Sequence, residues 1–394
     1  MKDPLKIRWG ILATGGIASA FAKDLSIDPR TRGVEDIEHE LIAVASSTSK
    51  TKATAFLQSC DAPSRAKAYG NYADLLEDPE VDIVYIATPH SHHYRNAMQC
   101  LRAGKNVLCE KAFTVNALQA QILVKEARSR DLLLMEGMWT RYFPLSGYVR
   151  ENISRGRIGD VDRVIAEHSL SYAGLFSDDK HIMINPDLAG GILLDGGIYS
   201  LTWVFQALWR KDSHHPKQQP IVKSEMAKYG PTGVDGMTTV LLEFPRASPF
   251  GNAHAVAATS LGLSNDAVAI ANDVAVPCIR IQGQLGEIQI FPPAYRPTRT
   301  RIVLKDGTVE DKNWPQPGPG VGSGWFNGYG GVHSEGEGHG LFWEADDAGR
   351  ALKEGRKEGS QLGLDESVLI MEIMDEIRAA AGLRYPDAVE TTDL

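Results

Sequence analysis

The sequence has few of the features that identify several common classes of protein. Its 394 residues include only 4 cysteines, without a CxxC or cysteine–histidine spacing, so neither a disulfide framework nor a zinc motif is indicated. We find no basic cluster, and the net charge of -9 argues against sequence-independent binding to nucleic acid. The N-terminal stretch MKDPLKIRWG lacks the apolar core of a secretory signal, and we identify no apolar run long enough to span a membrane. These absences predict a cytoplasmic protein that binds neither nucleic acid nor membranes.

Length and composition favour a globular chain of two domains. A hydrophobic content of 43% and a charged content of 23% are ordinary for a globular protein. A chain of 394 residues is too long for one ordinary hydrophobic core. The pattern of apolar residues changes near residue 140, and we therefore predict one domain over residues 1–140 and a second over 141–394.

Short apolar strands alternate with amphipathic helices in the first domain. The predicted strands are IRWGILA, ELIAVAS, DIVYIAT, NVLCE and LLLMEG, and a helical pattern follows each of the first four. Continuous apolar strands joined by helices are typical of a parallel sheet covered on both faces. The first domain is therefore predicted to be a Rossmann-like, doubly wound parallel sheet in an α/β arrangement.

The second domain is predicted to be of the α+β class, with a large open and mostly antiparallel sheet. Alternating strands such as TTVLLEF, AVAIAND and CIRIQG follow one another with few helices between them, and a helix starting near Ile192 would cover them. The stretch PQPGPGVGSGWFNGYGGVHSEGEGHG is too rich in glycine and proline for regular structure. It is either a functional rim or lid, with Trp325, Phe326 and Tyr329 as contacts, or simply mobile.

A glycine-rich turn follows the first predicted strand in GILATGGIASAF. The GxGxxG spacing falls on Ala13, Gly15 and Ala18, so only the middle glycine is kept, at the position where the backbone approaches a pyrophosphate most closely. The start of the following helix offers unpaired N–H groups and the positive end of the helix dipole. Small residues in such a turn can also serve packing alone. We assign to the cofactor site Ala13, Thr14, Gly15, Gly16 and Ile17.

No acidic residue ends the second strand of this domain. An NAD-selective Rossmann domain has a carboxylate there, which binds the ribose 2′-hydroxyl and repels a 2′-phosphate. The sequence instead continues SSTSKTK, whose hydroxyls and lysines can bind a phosphate. Lys50 and Lys52 could equally be solvated residues of a helix start. The pattern predicts NADP as the cofactor, with the 2′-phosphate bound by Ser46, Ser47, Thr48 and Lys52.

Histidines cluster after the third long strand, in IATPHSHHYRNA. Neighbouring positions on one helix point to different sides, and no further ligand stands at a suitable spacing, so we predict no metal site. Pro89 ends the strand where the cofactor would cross the edge of the sheet. His93 is expected to contact the cofactor, while the other histidines can be solvated residues of the helix start. The residues assigned to the cofactor from this stretch are Thr88, Pro89, His90 and His93.

A buried strand ends in two charged residues in NVLCEKAFTV. Charges at the carboxyl end of a parallel strand face the ligand side of a doubly wound sheet, so Lys111 should face the nicotinamide, with Glu110 orienting it. In DLAGGILLDGGIYSLTW, Asp195 and Tyr199 are four residues apart and share a helix face. Tyr199 could be only a buried aromatic bonded to Asp195. An ammonium nearby could instead lower the tyrosine pKa by about 2 units, which requires roughly 3 kcal/mol.

These motifs, in this order and spacing, resemble the Gfo/Idh/MocA oxidoreductase family over nearly the whole chain. ATPHSHH occurs in place of that family's TP-N-x-x-H motif and EKA in place of its EKP motif. GGILLDGGIYS occurs in place of its GG-x-x-x-D-x-G-x-H motif. MEGMWTRYFP and AAGLRYP resemble the branch in which tyrosine replaces the last histidine. Ala112 stands where the family has proline, and Ala13 where it has the first glycine.

The resemblance implies an activity and roles for several residues. Lys111 and Tyr199 would be the catalytic pair, and the reaction would be NADP-dependent oxidation of a pyranose such as D-xylose at C1 to the 1,5-lactone. The alternatives are oxidation of a trans-dihydrodiol or another aldose, and, from another class, a nucleotide-sensing regulator without turnover. The resemblance also implies a homodimer formed through the C-terminal sheet. Substrate residues would be Asp195, Trp139 and Phe176, and further cofactor residues Glu110, Trp139 and Arg141.

Overall fold

The computed structural model describes residues 4–171, 176, 178–209, 218–264, 276–328 and 334–394. The chain divides into two compact units. The first comprises Met1–Tyr142, Pro315–Val368 and Thr391–Leu394, and the second comprises Phe143–Trp314 and Leu369–Glu390. The sequence-based division near residue 140 assigned Pro315–Val368 to the second domain, and in this respect the structure differs from it.

The first unit contains a parallel sheet. Its strands are β1 (Leu5–Leu12), β2 (Ile37–Ala45), β3 (Lys67–Tyr69), β4 (Ile83–Ile86), β5 (Asn106–Glu110) and β6 (Leu134–Gly137). They form a 6-stranded sheet in the order β3-β2-β1-β4-β5-β6, the order of a dinucleotide-binding fold. Every residue of β4 and of β6 is buried, as expected for strands covered on both faces. The predicted Rossmann-like sheet is confirmed, and only the short β3 was not predicted.

Helices connect these strands, and three of the five begin at a residue whose side chain caps the helix. They are α1 (Gly16–Leu25), α2 (Lys50–Ser59), α3 (Tyr72–Leu76), α4 (His90–Arg102) and α5 (Ala117–Ser129). The side chains of Ser49, Asn71 and Asn116 accept backbone N–H groups at the starts of α2, α3 and α5. Pro89 precedes α4, where its fixed φ suits the entry to a helix.

The second unit contains a mostly antiparallel sheet. Its strands are β7 (Val161–Ser169), β8 (Ile221–Lys228), β9 (Asp235–Phe244), β10 (Ala253–Ser260), β11 (Ile279–Gly283), β12 (Gly286–Ile290), β13 (Arg299–Leu304) and β14 (Val309–Asn313). The 8-stranded order is β14-β13-β12-β11-β7-β10-β9-β8, in which only β7 and β10 pair in parallel. The predicted α+β architecture is confirmed. The predicted strand AVAIAND lies outside the described residues.

One face of this sheet is covered by a buried helix. The helices of the unit's first part are α6 (Pro144–Ser154) and α7 (Ile198–Leu208), and a π-helical turn over Leu193–Gly197 leads into α7. Every residue from Ile198 to Ala207 is buried. The Ser200 hydroxyl donates to the Ala258 carbonyl of β10 at 2.9 Å, which ties the first turn of α7 to the sheet.

The chain ends with three helices, α8 (Phe342–Glu354), α9 (Leu364–Ala380) and α10 (Asp387–Glu390). Helix α8 packs closely on the parallel sheet because it has glycine at the contact: a Cβ at Gly349 would lie 3.1 Å from side-chain atoms of Ile7 and Ile37. Asp346 of α8 also binds Arg32 through two hydrogen bonds of 2.7 and 2.8 Å. These contacts explain why α8 belongs to the first unit.

One described segment has the length and composition of a membrane span, which the sequence analysis did not recognise. It is Pro186–Leu208, and 89% of its most apolar window is buried inside the structure. The buried core helix of a globular protein can have the same length and composition as a membrane-spanning helix, because both are surrounded by apolar groups on all sides. The segment ends with α7, the buried helix that covers one face of the second unit's sheet.

Candidate active site

The glycine-rich turn after β1 leaves the start of α1 open. Gly15 caps α1 without a side-chain hydrogen bond, and the first turn of the helix carries no acidic residue. A Cβ built on Gly15 meets nothing within 4 Å, so the protein's own packing does not require glycine there. Ala13 adopts a positive φ of 87°, the conformation that the usual first glycine of this turn would take without strain. An open helix start of this kind fits a pyrophosphate group.

A hydroxyl-rich turn connects β2 to α2. Ser46 is buried, and its hydroxyl lies 3.2 Å from that of Thr48, whereas Ser47, Thr48 and Lys52 are exposed. Burial raises the pKa of Tyr72, and the Ser47 side chain opposes that rise. The turn therefore presents hydroxyls and a cation, without a carboxylate, at the carboxyl end of β2.

His93 lies inside the first unit rather than at its surface. It is 1% exposed, and its Nδ1 and Nε2 lie 2.8 Å from the carbonyl oxygens of Ala112 and Thr88. Burial lowers the pKa of His93 to about 3, so the ring is neutral and can donate only one of these bonds. Both ring nitrogens of His93 are thus engaged by main-chain carbonyls, and the residue links the turns that contain Thr88 and Ala112. His90, with its ring 5.6 Å from that of His93, is only half-buried.

Glu110 holds the backbone of the lysine that follows it. Its Oε2 accepts the Lys111 N–H at 3.2 Å, while Oε1 accepts the hydroxyl of Tyr85. The Lys111–Ala112 peptide is cis, and the Ala112 carbonyl is the one that His93 contacts. Glu110 is buried and Lys111 half-buried. The chain around Lys111 is thus fixed by contacts on both sides of the residue.

Further buried acids lie in the same unit, and the sequence analysis did not identify them. Burial raises the pKa of Glu136 to about 7, although its Oε1 accepts the Phe113 N–H at 3.1 Å. Glu344 is fully buried, and within the described part of the chain neither of its oxygens has a hydrogen-bond partner. Burial first, then the charges of Glu110, Asp24 and Glu136, raise the pKa of Glu344 well above its usual value. Glu344 therefore favours its neutral form more strongly than an exposed glutamate does.

The glycine- and proline-rich segment is attached to α1 by a buried carboxylate. Asp24 accepts the N–H groups of His339, Gly340 and Leu341 at 2.7 to 2.8 Å, and the Asn327 side chain at 2.7 Å. The His339 ring then stacks on Trp139, with centroids 4.7 Å apart and an angle of 13°. Over its described residues the segment is therefore anchored and holds Trp139. Tyr329 lies outside the described residues.

Arg141 and Trp139 occupy one short helical turn, Trp139–Tyr142, and both are buried. Arg141 forms an ion pair of 2.9 Å with Glu366 and donates from Nη2 to the Gln361 carbonyl at 2.8 Å. Their sequence motif was recognisable, but the partners His339 and Glu366 lie 200 and 225 residues farther along the chain than Trp139 and Arg141, so no local pattern indicated them.

In the second unit, Asp195 and Tyr199 occupy consecutive turns of different geometry. Asp195 lies in the π-helical turn, whereas Tyr199 lies in the first turn of α7 and is 5% exposed. The Ile198 N–H bonds the Leu193 carbonyl, the wider spacing of a π-helix. The simple four-residue spacing of an α-helix, assumed from the sequence, therefore does not describe this pair. Irregular turns of this kind are frequent at functional sites.

Two further rings contact Tyr199, and sequence reasoning missed both. His168 at the end of β7 is 5.3 Å from Tyr199, and Tyr295 is 6.0 Å away, measured between ring centroids. His168 and Tyr295 are themselves 5.4 Å apart. Phe176, expected at the substrate site, packs in this unit against His181 and Tyr229, at 5.1 and 5.9 Å.

The turn before Asp195 is held by a buried carboxylate and a tyrosine. Asp235 of β9 accepts the Leu193 N–H, and the Tyr385 hydroxyl donates to the Gly190 carbonyl at 2.9 Å. Gly191 lies against Asp235 with φ +119°, and a Cβ there would be 2.0 Å from the Asp235 Oδ1 atom. Burial raises the pKa of Asp235 to about 6. Within the described residues, no group of three or more histidine, cysteine, aspartate or glutamate side chains could hold a metal ion.

A dinucleotide-binding sheet, an open helix start and a lysine after β5 are the features of a nicotinamide-dependent oxidoreductase. A family model described as an oxidoreductase family with an NAD-binding Rossmann fold matches residues 7–138. D-xylose 1-dehydrogenase (NADP(+)) of Hypocrea jecorina is 45% identical over 397 residues, covering 100% of this chain and 96% of that protein. The chain belongs to the Gfo/Idh/MocA oxidoreductase family.

Other relatives and solved structures extend over nearly the whole chain. The human trans-1,2-dihydrobenzene-1,2-diol dehydrogenase is 34% identical over 386 residues, covering 97% of this chain and 99% of that protein. The crystal structure of an aldose-aldose oxidoreductase from Caulobacter crescentus, complexed with glycerol, matches with a TM-score of 0.72 and 22% identity. It covers 96% of this chain and 98% of that chain, and it supports the fold.

Substituting Gly191→Ala should destabilise the second unit. The positive φ and the overlap with the buried Asp235 carboxyl together predict a loss of about 3 kcal/mol or more in the free energy of unfolding. Gly262→Ala is the matched control, because a Cβ there lies 3.8 Å from the nearest atom, the Ser260 hydroxyl. Urea denaturation of the variants measures the difference. Equal stability of the two variants would show that Asp235 does not hold this turn.

Proposed function

We propose that the chain is an NADP-dependent dehydrogenase that oxidises a pyranose at C1, with D-xylose as substrate and D-xylono-1,5-lactone as product. The observation that carries this proposal is the 45% identity, over the full chain, to a D-xylose 1-dehydrogenase (NADP(+)). Lys111 directly after β5 and Tyr199 in the first turn of α7 supply the acid–base groups that such a reaction needs. A cytoplasmic location is part of the same proposal.

NADP fits the loops at the carboxyl ends of the parallel strands. The open start of α1 at Gly15 and Gly16 would bind the pyrophosphate, and Ser46, Ser47, Thr48 and Lys52 would bind the 2′-phosphate. When bound, the nicotinamide accepts a hydride. The remaining residues that we assign to NADP are Ala13, Thr14, Ile17, Thr88, Pro89, His90, His93, Glu110, Lys111, Trp139 and Arg141.

The proton chemistry is assigned to Tyr199 and Lys111. As C1 loses a hydride, the C1 hydroxyl gives its proton to Tyr199, and the C1–O bond becomes the lactone carbonyl. A free tyrosine has a pKa near 10, so stabilisation of the phenolate is required at neutral pH. The Lys111 ammonium would supply it, and the contact between Glu110 and the Lys111 backbone supports a fixed position for that charge. Asp195 and Trp139 are the proposed sugar contacts.

A second candidate reaction is oxidation of an aromatic trans-dihydrodiol. It is favoured by the full-length relatives of that name, at 34% identity. The same catalytic pair would serve, with the diol stacked on Trp139 and Phe176. A panel of aldoses and dihydrodiols, with NADP reduction followed by absorbance, distinguishes the two. Absence of turnover with every member of the panel would favour a nucleotide-sensing regulator.

The proton acceptor can be tested by Tyr199→Phe. Loss of the phenol should lower turnover by about two to four orders of magnitude and leave NADP binding intact, as expected for a missing base. Tyr148→Phe is the control, since it removes the hydroxyl of another tyrosine of the second unit, one that is bonded to Glu310. Lys111→Ala should lower turnover similarly and move the pH–rate profile to higher pH. Near-normal activity of Tyr199→Phe would refute the mechanism.

Cofactor preference can be tested at the turn after β2. We expect a preference for NADP over NAD of at least about tenfold in kcat/KM, roughly 1.4 kcal/mol. Ser47→Asp should narrow or reverse it, because a carboxylate repels the 2′-phosphate. Ser64→Asp adds the same charge beyond the end of α2 and should leave the preference unchanged. Equal use of both cofactors by the unmodified protein would contradict the role of this turn.

We also propose a homodimer formed through the sheet of the second unit. Ile221, Met237 and Leu241, which are 51%, 44% and 43% exposed, lie on the same face of β8 and β9. An apolar face of this kind is typical of an interface. Light scattering at micromolar concentration should give the mass of a dimer, and a monomer would exclude this arrangement.

A further inference from the structure

We infer that His168 and Tyr295 are positioning residues for Tyr199, and that they act through ring contact and not by transferring a proton. The inference rests on the proposed function, in which Tyr199 is the proton acceptor. His168, Tyr199 and Tyr295 form a closed set of ring contacts, with centroid distances of 5.3, 5.4 and 6.0 Å. His168 and Tyr199 meet edge to face, at 85°, which is a favoured geometry for aromatic pairs.

His168 is held at the end of β7 by its main chain. Its carbonyl accepts the Thr259 hydroxyl of β10 at 2.6 Å, and the residue is 3% exposed. Thr259 also packs against the turn that leads into α7, where a Cβ on Gly196 would lie 3.0 Å from its hydroxyl oxygen. The strand that carries His168 and the turn before Tyr199 are therefore fixed against the same threonine.

Tyr295 is held by the helix that carries Tyr199. The carbonyl of Ala294, its neighbour, accepts the indole N–H of Trp203 at 2.9 Å. Trp203 lies in α7 one turn beyond Tyr199 and is fully buried. Ser200 ties α7 to the sheet and Trp203 ties it to the Tyr295 segment, so the main chain that carries each flanking ring is anchored close to the helix.

These contacts restrict the two side-chain torsions of Tyr199. Its backbone is fixed by the helix, so rotation about the first torsion sets the position of the phenol oxygen, whereas rotation about the second turns the ring about an axis through that oxygen. The flanking rings limit both rotations. Displacement of a reacting group by about 1 Å can reduce the rate on the order of 100-fold. Loss of a flanking ring should therefore reduce turnover more than it reduces cofactor binding.

The test compares two substitutions at one position with a control that contacts the same helix. His168→Leu removes the ring, and His168→Phe keeps it while removing both nitrogens. Phe244→Leu is the control, because Phe244 makes a similar edge-to-face contact, 5.8 Å and 72°, with Phe205 farther along α7. We expect His168→Leu to lower kcat by about 10- to 100-fold with the KM for NADP nearly unchanged, and the other two variants to stay within about threefold of the parent.

Two outcomes would overturn the inference. If His168→Phe were as slow as His168→Leu, the imidazole nitrogens would be responsible and not the ring. If His168→Leu were as active as Phe244→Leu, the contact would be only structural. Should His168→Leu fail to fold, Tyr295→Leu and Tyr295→Phe provide the same comparison at a half-buried ring.

A measurement without substrate separates this inference from the proposed function. In NMR of protein containing fluorotyrosine, the Tyr199 resonance is identified by its absence in Tyr199→Phe. Its chemical shift should change in His168→Leu and stay the same in His168→Phe, and this expectation does not depend on the identity of the substrate. An unmoved resonance in His168→Leu would refute the ring contact. If Tyr199→Phe stayed active while the resonance moved as expected, the proton-acceptor assignment alone would fail.

Discussion

Much of the first unit's arrangement depends on one carboxylate inside it, that of Asp24. Burial raises the pKa of Asp24, and four hydrogen-bond donors oppose that effect by stabilising the charged form. Two of the donors, the N–H groups of Gly340 and Leu341, immediately precede α8, so the carboxylate also satisfies the start of that helix. One side chain thus joins the dinucleotide-binding helix, the glycine-rich segment and α8. The position of Trp139 follows, because His339 lies in the segment that Asp24 holds.

The interior accommodates its other acids in two ways. Asp346 is paired with Arg32 and His39, and the pKa of Asp346 is lowered despite its burial. Glu136 and Glu344 have raised pKa values, because burial outweighs the donors that reach Glu136 and, within the described residues, Glu344 has no hydrogen-bond donor. A neutral carboxyl costs less to bury than an unpaired carboxylate. The interior of the first unit can therefore hold both Glu136 and Glu344 without a separate counter-charge for each.

The sequence was sufficient for those features that depend on local patterns. Apolar strands predicted the parallel sheet, and short motifs indicated the turns at Gly15, Pro89 and Lys111 because each lies directly after a strand. The contacts of His339 with Trp139, and of Tyr295 with Tyr199, join residues distant in sequence, and no periodicity reports them. The π-helical turn escaped prediction because it is only 5 residues long, too short for its wider repeat to appear in the hydrophobic pattern.

The parallel pairing of β7 with β10 has a topological consequence. Since β10, β9 and β8 alternate in direction, β8 runs the same way as β7, and the chain between them must return along one face of the sheet. Helix α7 lies in that returning segment. The direction of the strands therefore explains why one face of the sheet is covered by the chain itself. Met237 and Leu241 are exposed on the opposite face. The helix in this crossover also carries Tyr199, so the direction of the strands and the location of the proposed proton acceptor are linked through one segment of the chain.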